Sequence, residues 1–139
     1  MTQSGTQIDT LRQNEFEVLL DGAPLQGVFK VAGLTSFKLD LVKNIRVQSP
    51  ITLTKIVQRD PALPFNVWLR ETASGTPAAT RTLAIIARDD GIEIRRWTLN
   101  KVVITEIRYS DFDTGLVELV EETVTLQYES ITETWFSGE

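Results

Sequence analysis

Asp111-Phe112-Asp113-Thr114-Gly115 has the Asp-x-Asp-x-Gly spacing that opens a calcium loop. Such a loop needs further oxygen ligands, a distal glutamate and flanking helices. Strand patterns lie on both sides here, so the segment reads as a turn. Glu118, Glu121 and Glu122 gather carboxylates, and acid–base work by such a pair needs one member desolvated at a fixed separation. On a strand Glu121 and Glu122 point to opposite faces and Glu118 shares one with Glu122, which predicts a solvated charged face. Asp89-Asp90, followed by Gly91, reads as a hairpin turn. Arg95, Arg96 and Lys101 form the densest basic spot, but Glu93 and Glu106 offset it, which favours salt bridging over nucleic-acid binding. Trp68, Trp97 and Trp135 are too dispersed for a base-stacking platform, and the first two are expected in the core. The chain has neither histidine nor cysteine, which removes the commonest general base, the commonest metal ligand, thiolate chemistry and disulfides. No motif carries chemistry, so neither catalysis, metal nor cofactor is expected.

Elements must still position these residues for some other purpose. With 139 residues, 42% hydrophobic and 24% charged, the chain has the size and balance of one globular domain spanning 1–139. Residues 1–13 read as a polar N-terminal arm without the apolar run of a signal peptide. No stretch reaches the ~20 apolar residues that span a bilayer, so no membrane partner is expected and synthesis is placed in a cytoplasm. The net charge of −5 argues against a stand-alone nucleic-acid binder.

Period-two alternation predicts a strand over Phe16, Val18 and Leu20 that ends at Asp21-Gly22. A second run follows from Gln26 to Val31, and the spacing reads as a hairpin. Phe37, Leu39 and Leu41 alternate with Lys38, Asp40 and Val42 as a third strand, and Ile51 to Val57 makes a fourth behind Pro50. The period then changes. Phe65, Trp68, Leu69 and Thr72 fall at helical spacing, with Pro64 suited to the first helical position, and Ser74-Gly75-Thr76-Pro77 reads as a linker. Leu83 to Ala87 reads as a strand buried on both faces, Asp90-Gly91 as a tight turn, and Ile92 to Leu99 and Val102 to Tyr109 as two more strands. Glu122, Val124, Leu126 and Tyr128 mark one face of a long C-terminal strand. The pattern predicts a mainly β protein, an antiparallel β-sandwich or barrel with one short α-helix.

The order of these landmarks resembles that of phage tail-tube proteins, the inner-tube family of contractile tails and injection systems. Phe16-Glu17-Val18 with Asp21-Gly22 and Val31-Ala32-Gly33-Leu34 is similar to the family's "DG" and "VSGL" opening. Ile51-Thr52-Leu53-Thr54-Lys55 looks like its "ITLK" strand, and Asp60, Leu63, Trp68 and Leu69 look like its helix. Asp90-Gly91-Ile92-Glu93 with Arg96-Trp97-Thr98-Leu99-Asn100 resembles its "DG-x-E…W-x-F-x-N" hairpin, and Glu122 to Leu126 its last strand. The likeness runs from Glu15 to Ile131. The departure lies between Leu34 and Ile51, where the family's longer hairpin with an "LPG"-like element is missing.

What the resemblance implies is a subunit of stacked, usually hexameric rings whose sheets join into one ring-shaped multi-chain barrel. The copies pair with one another, with sheath and baseplate proteins as further partners. DNA or effector protein would pass the acidic lumen without specific binding, in a virion tail or an extracellular or cytoplasmic injection particle. Phe37, Leu39 and Leu41 would then lie at a subunit boundary, Val102 and Ile104 would be buried between subunits, and Trp68 and Leu69 would anchor the helix on the barrel. The shortened 34–51 segment points also to a tube-initiator or terminator ring of the same fold. A monomeric β-barrel that binds a small ligand is the reading from another class.

Overall fold

The alternating segments fold into a mainly antiparallel β-structure carrying a short helix. The computed structural model describes residues 11–12, 15–75 and 79–136; the polar arm, apart from residues 11 and 12, and Thr76-Pro77 of the linker lie outside them. Strands β1 (Phe16–Leu20), β2 (Ala23–Pro24), β3 (Val28–Ala32), β6 (Ile51–Ile56), β7 (Arg81–Asp89), β8 (Ile92–Tyr109), β9 (Glu121–Gln127) and β10 (Ser130–Trp135) form one sheet. Its order is β2-β1-β7-β8-β9-β6-β3, with β10 paired to β8. A separate two-stranded hairpin is made of β4 (Leu39–Asp40) and β5 (Ile45–Arg46), and α1 covers Pro64–Ala73.

Strand β8 makes two layers from one sheet. Its first part lies between β7 and β10, and its second part pairs with β9. At the crossing, β8 holds one residue more than β7 between the pairs Arg81–Val102 and Leu83–Leu99, and Lys101 adopts φ 53°. Such a bulge bends a strand and sharpens its twist. Val18, Leu20, Leu83, Ile85 and Leu99 from one layer thereby meet Ile51, Leu53, Val102, Val124 and Leu126 from the other. Phe65 and Trp68 of α1 join the same buried cluster.

Local chemistry sets the ends of these elements. Asp21-Gly22 and Asp90-Gly91 all have positive φ, the combination that a type I′ hairpin turn requires. The helix starts with Leu63 at the N-cap and Pro64 at its first position, where a missing N–H costs nothing. Gly33, at φ +80°, leaves only 3.1 Å between a built Cβ and the Pro50 carbonyl oxygen, so glycine is required there on two counts.

Several sequence expectations are corrected. The second run does not pair with the first: β1 makes its hairpin with the two-residue β2, and β3 crosses to β6. The strands expected from Ile92 and from Val102 are a single strand of 18 residues, because a bulge bends the chain without ending its ladder. The C-terminal strand stops at Gln127 and β10 follows it. The strand expected through Phe37, Leu39 and Leu41 shrinks to two residues in each arm of β4–β5.

Candidate subunit interface

The β4–β5 hairpin stands outside the sheet and is held by its base. Trp97 Nε1 donates to Ser36 Oγ at 2.9 Å, and that hydroxyl donates to Glu133 Oε1 at 2.6 Å. On the other arm Gln48 Nε2 donates to the Glu129 carbonyl, and the Tyr128 hydroxyl donates to the Ser49 carbonyl. Val47 N–H closes the base onto the Lys38 carbonyl at 2.8 Å. The tip is set by Asp40, whose Oδ1 accepts from the N–H groups of Val42 and Lys43, and by Asn44 at φ 55°. On this fixed frame Phe37, Leu39, Leu41, Val42 and Ile45 are all exposed, Leu41 at 82% and Val42 at 96%. The Arg46 guanidinium lies 5.8 Å from the Phe37 ring centroid. Five large apolar side chains exposed on one short, hydrogen-bonded hairpin mark a contact site more often than a solvent face.

Val102 and Ile104 are a correction. Both side chains are buried in the chain's own core beside Val124 and Leu126, since the layers on either side of β8 cover them before any partner arrives. Trp68 is fully buried, its Nε1 donating to the Ala79 carbonyl at 2.9 Å, and it meets Phe65 edge to face at 6.2 Å. Leu69 packs half-buried against the same cluster.

The acidic segment between β8 and β9 is an exposed loop. Asp113 Oδ1 accepts from Gly115 N–H at 2.8 Å, and Leu116 N–H donates to the Asp113 carbonyl at 3.0 Å, which is the geometry of a turn. Among the described residues no cluster of three or more metal-capable side chains exists. The loop also exposes Phe112, Leu116, Val117 and Leu119, apolar residues whose spacing follows no strand period and so gives no signal in the sequence.

Glu122 overturns the expectation of a solvated carboxylate face. It is buried, with Oε1 2.7 Å from Lys55 Nζ, and the ammonium also donates to the Ile56 carbonyl and lies 4.6 Å from the Phe65 ring centroid. Lys55 and Glu122 face each other in the β6–β9 register. The signal was present in the period: Ile51-Leu53-Lys55 and Glu122-Val124-Leu126 share one inward face. The basic spot is paired, Arg96 to Glu93, Arg95 to Glu133 and Lys101 to Glu129. Hydrogen bonding from Arg96 holds the Glu93 carboxyl below its ordinary pKa. Arg95 also stacks 3.4 Å from the centre of the exposed Trp135 ring.

Three strands lie at open edges among the described residues, since β2 pairs only with β1, β3 only with β6 and β10 only with β8. The order ends in β2 and β3, strands β1 and β3 do not pair, and a cleft of about 540 Å³ between them is lined by Phe16, Phe29, Val31, Leu34 and Trp97. Unpaired edges invite pairing with another chain.

No family model and no curated protein matches the sequence. Solved structures do match its fold. A chain of the anti-feeding prophage cap, the tube-terminating cap, superposes with a TM-score of 0.73 at 17% identity, over 98% of this chain and 100% of that one. A chain of the PVC sheath-tube complex, from an extracellular contractile injection system, gives 0.71 at 15% identity over 98% and 99%. This is the tail-tube fold. The Hcp1 protein of E. coli EAEC 042 shares it at a TM-score of 0.62 and 18% identity, over 88% of this chain and 92% of that one.

Proposed function

We propose that the chain is a non-catalytic structural subunit whose copies close into hexameric rings that stack as the inner tube of a contractile tail or injection particle. One observation carries the reading: in a tail-tube fold, hairpin β4–β5 holds five large apolar side chains in solvent on a base locked by hydrogen bonds. Burial of such a surface at ~25 cal/mol per Å² is a driving force that only a partner supplies. Closed rotational symmetry turns each open strand edge into a paired one. The acidic balance fits a lumen that repels DNA or acidic effector protein rather than binding it. Sheath and baseplate proteins are the further partners, the assembled particle is the location, and the bacterial cytoplasm is the site of synthesis.

A second reading, a tube-initiating or tube-terminating ring, is favoured by the shortness of β4–β5, with two residues in each strand. Electron microscopy of the purified chain separates the two. Hollow filaments indicate the tube proper and single rings a terminal ring. A uniform monomer at high concentration overturns both.

A further inference from the structure

Two exposed apolar surfaces of this chain carry opposite charge. On the hairpin, Lys38, Lys43 and Arg46 outnumber Asp40, a positive patch on a chain of net charge −5. On the loop, Asp111, Asp113, Glu118 and Glu121 surround Phe112, Leu116, Val117 and Leu119, with no cation between Ser110 and Glu121. All of these charged side chains are exposed apart from the half-buried Asp40. None of them joins an ion pair among the described residues, whereas Arg81, Arg88, Arg95, Arg96 and Lys101 all do.

The register of β6 and β9 keeps the two surfaces apart within one copy. The hairpin feeds β6 at Ile51, which pairs with Leu126, and its base is bonded to Tyr128 and Glu129. The loop feeds β9 at Glu121, which pairs with Ile56, and Val57 N–H donates to the Val120 carbonyl at 2.9 Å. At about 3.3 Å per residue the two ends of this strand pair are ~17 Å apart, so the surfaces leave the β6–β9 pair at opposite ends. We propose that the basic apolar hairpin of one copy docks on the acidic apolar 110–121 loop of a second copy, head to tail. The occupant is committed by charge complementarity, since like surfaces meeting across a twofold axis would oppose cation to cation and anion to anion. A head-to-tail contact repeats from copy to copy, as rings and filaments require. The proposal deepens the tube-subunit reading by naming which surface of the partner copy the hairpin meets.

The absence of cysteine makes the test clean. Val42→Cys and Val117→Cys proteins are mixed and oxidised, and the mixed Val42–Val117 disulfide dimer is expected well above either like-with-like dimer. Separately, Lys38→Glu/Lys43→Glu and Asp111→Lys/Asp113→Lys proteins are each expected to lose most of the assembled mass in light scattering, and mixing them in equal amounts should restore it. Rings without the mixed crosslink overturn the docking and leave the tube reading standing. The mixed crosslink without rings does the reverse. Reversal variants that assemble like the parent, or that fail even when mixed, also overturn the docking.

Discussion

Lys55 and Glu122 are charged residues buried inside the apolar layer between β6 and β9. Taking two ions out of water costs several kcal/mol each, and their attraction repays this only with good geometry and further hydrogen bonds. Here the ammonium has a carboxylate at 2.7 Å, a carbonyl at 3.0 Å and an aromatic face. Lys55→Met leaves a carboxylate alone in the core and is expected to lose about 3–5 kcal/mol, while Lys55→Met with Glu122→Leu should recover most of that loss. Urea denaturation of both variants measures it, and equal losses would mean that the pair does not act as a unit. A one-residue slip between β6 and β9 would separate the two charges, so the pair also fixes register.

Helix α1 shows what a sequence exposes and what it conceals. Its start at Pro64 and its inward residues Phe65 and Trp68 were legible, because proline chemistry and helical spacing are local. Strand β6 and the two-faced burial of β7 were legible for the same reason. The bulge at Lys101 was not, since its extra residue moves the inward positions from Leu99 to Val102 and Ile104, and such a shift of phase looks like the end of one strand and the start of another. Nor was the crossing of β3 to β6, which depends on which edge lies free and not on any residue type. Pairing was the hidden quantity, and with it went the placement of Val102 and Ile104. At this scale Trp68→Ala removes a fully buried ring with its hydrogen bond to Ala79. It is expected to cost about 3–5 kcal/mol against a total stability of roughly 5–15 kcal/mol. A melting curve matching the parent would contradict the place of Trp68 in the core.

For the whole molecule, folding and assembly draw on different residues. The core closes through β7, β8 and β9, whereas the hairpin that carries Leu39 stays outside it. Leu39→Asp is therefore expected to melt within about 1 kcal/mol of the parent, as exposed substitutions usually do, yet to lose its assembled species, because the new charge would be buried unpaired at the joint. Size-exclusion chromatography with light scattering reports the second effect and thermal denaturation the first. Assembly that persists would place Leu39 on free surface, and an unfolded variant would assign it to the core after all. The hairpin was legible as a striped segment, and the acidic loop only as a turn, because apolar residues that follow no period announce nothing until their exposure is seen.

Strand β8 gives the two layers a shared backbone. Its 18 residues bond to β7 and β10 before the bulge and to β9 after it. Neither layer can open alone without tearing the same strand, so the two should behave as one cooperative unit and not as separable foldons. In native-state hydrogen exchange, the amides of Leu99 and Ile104, one on each side of Lys101, should therefore show the same opening free energy and the same denaturant dependence. A gap between them would locate a hinge at the bulge.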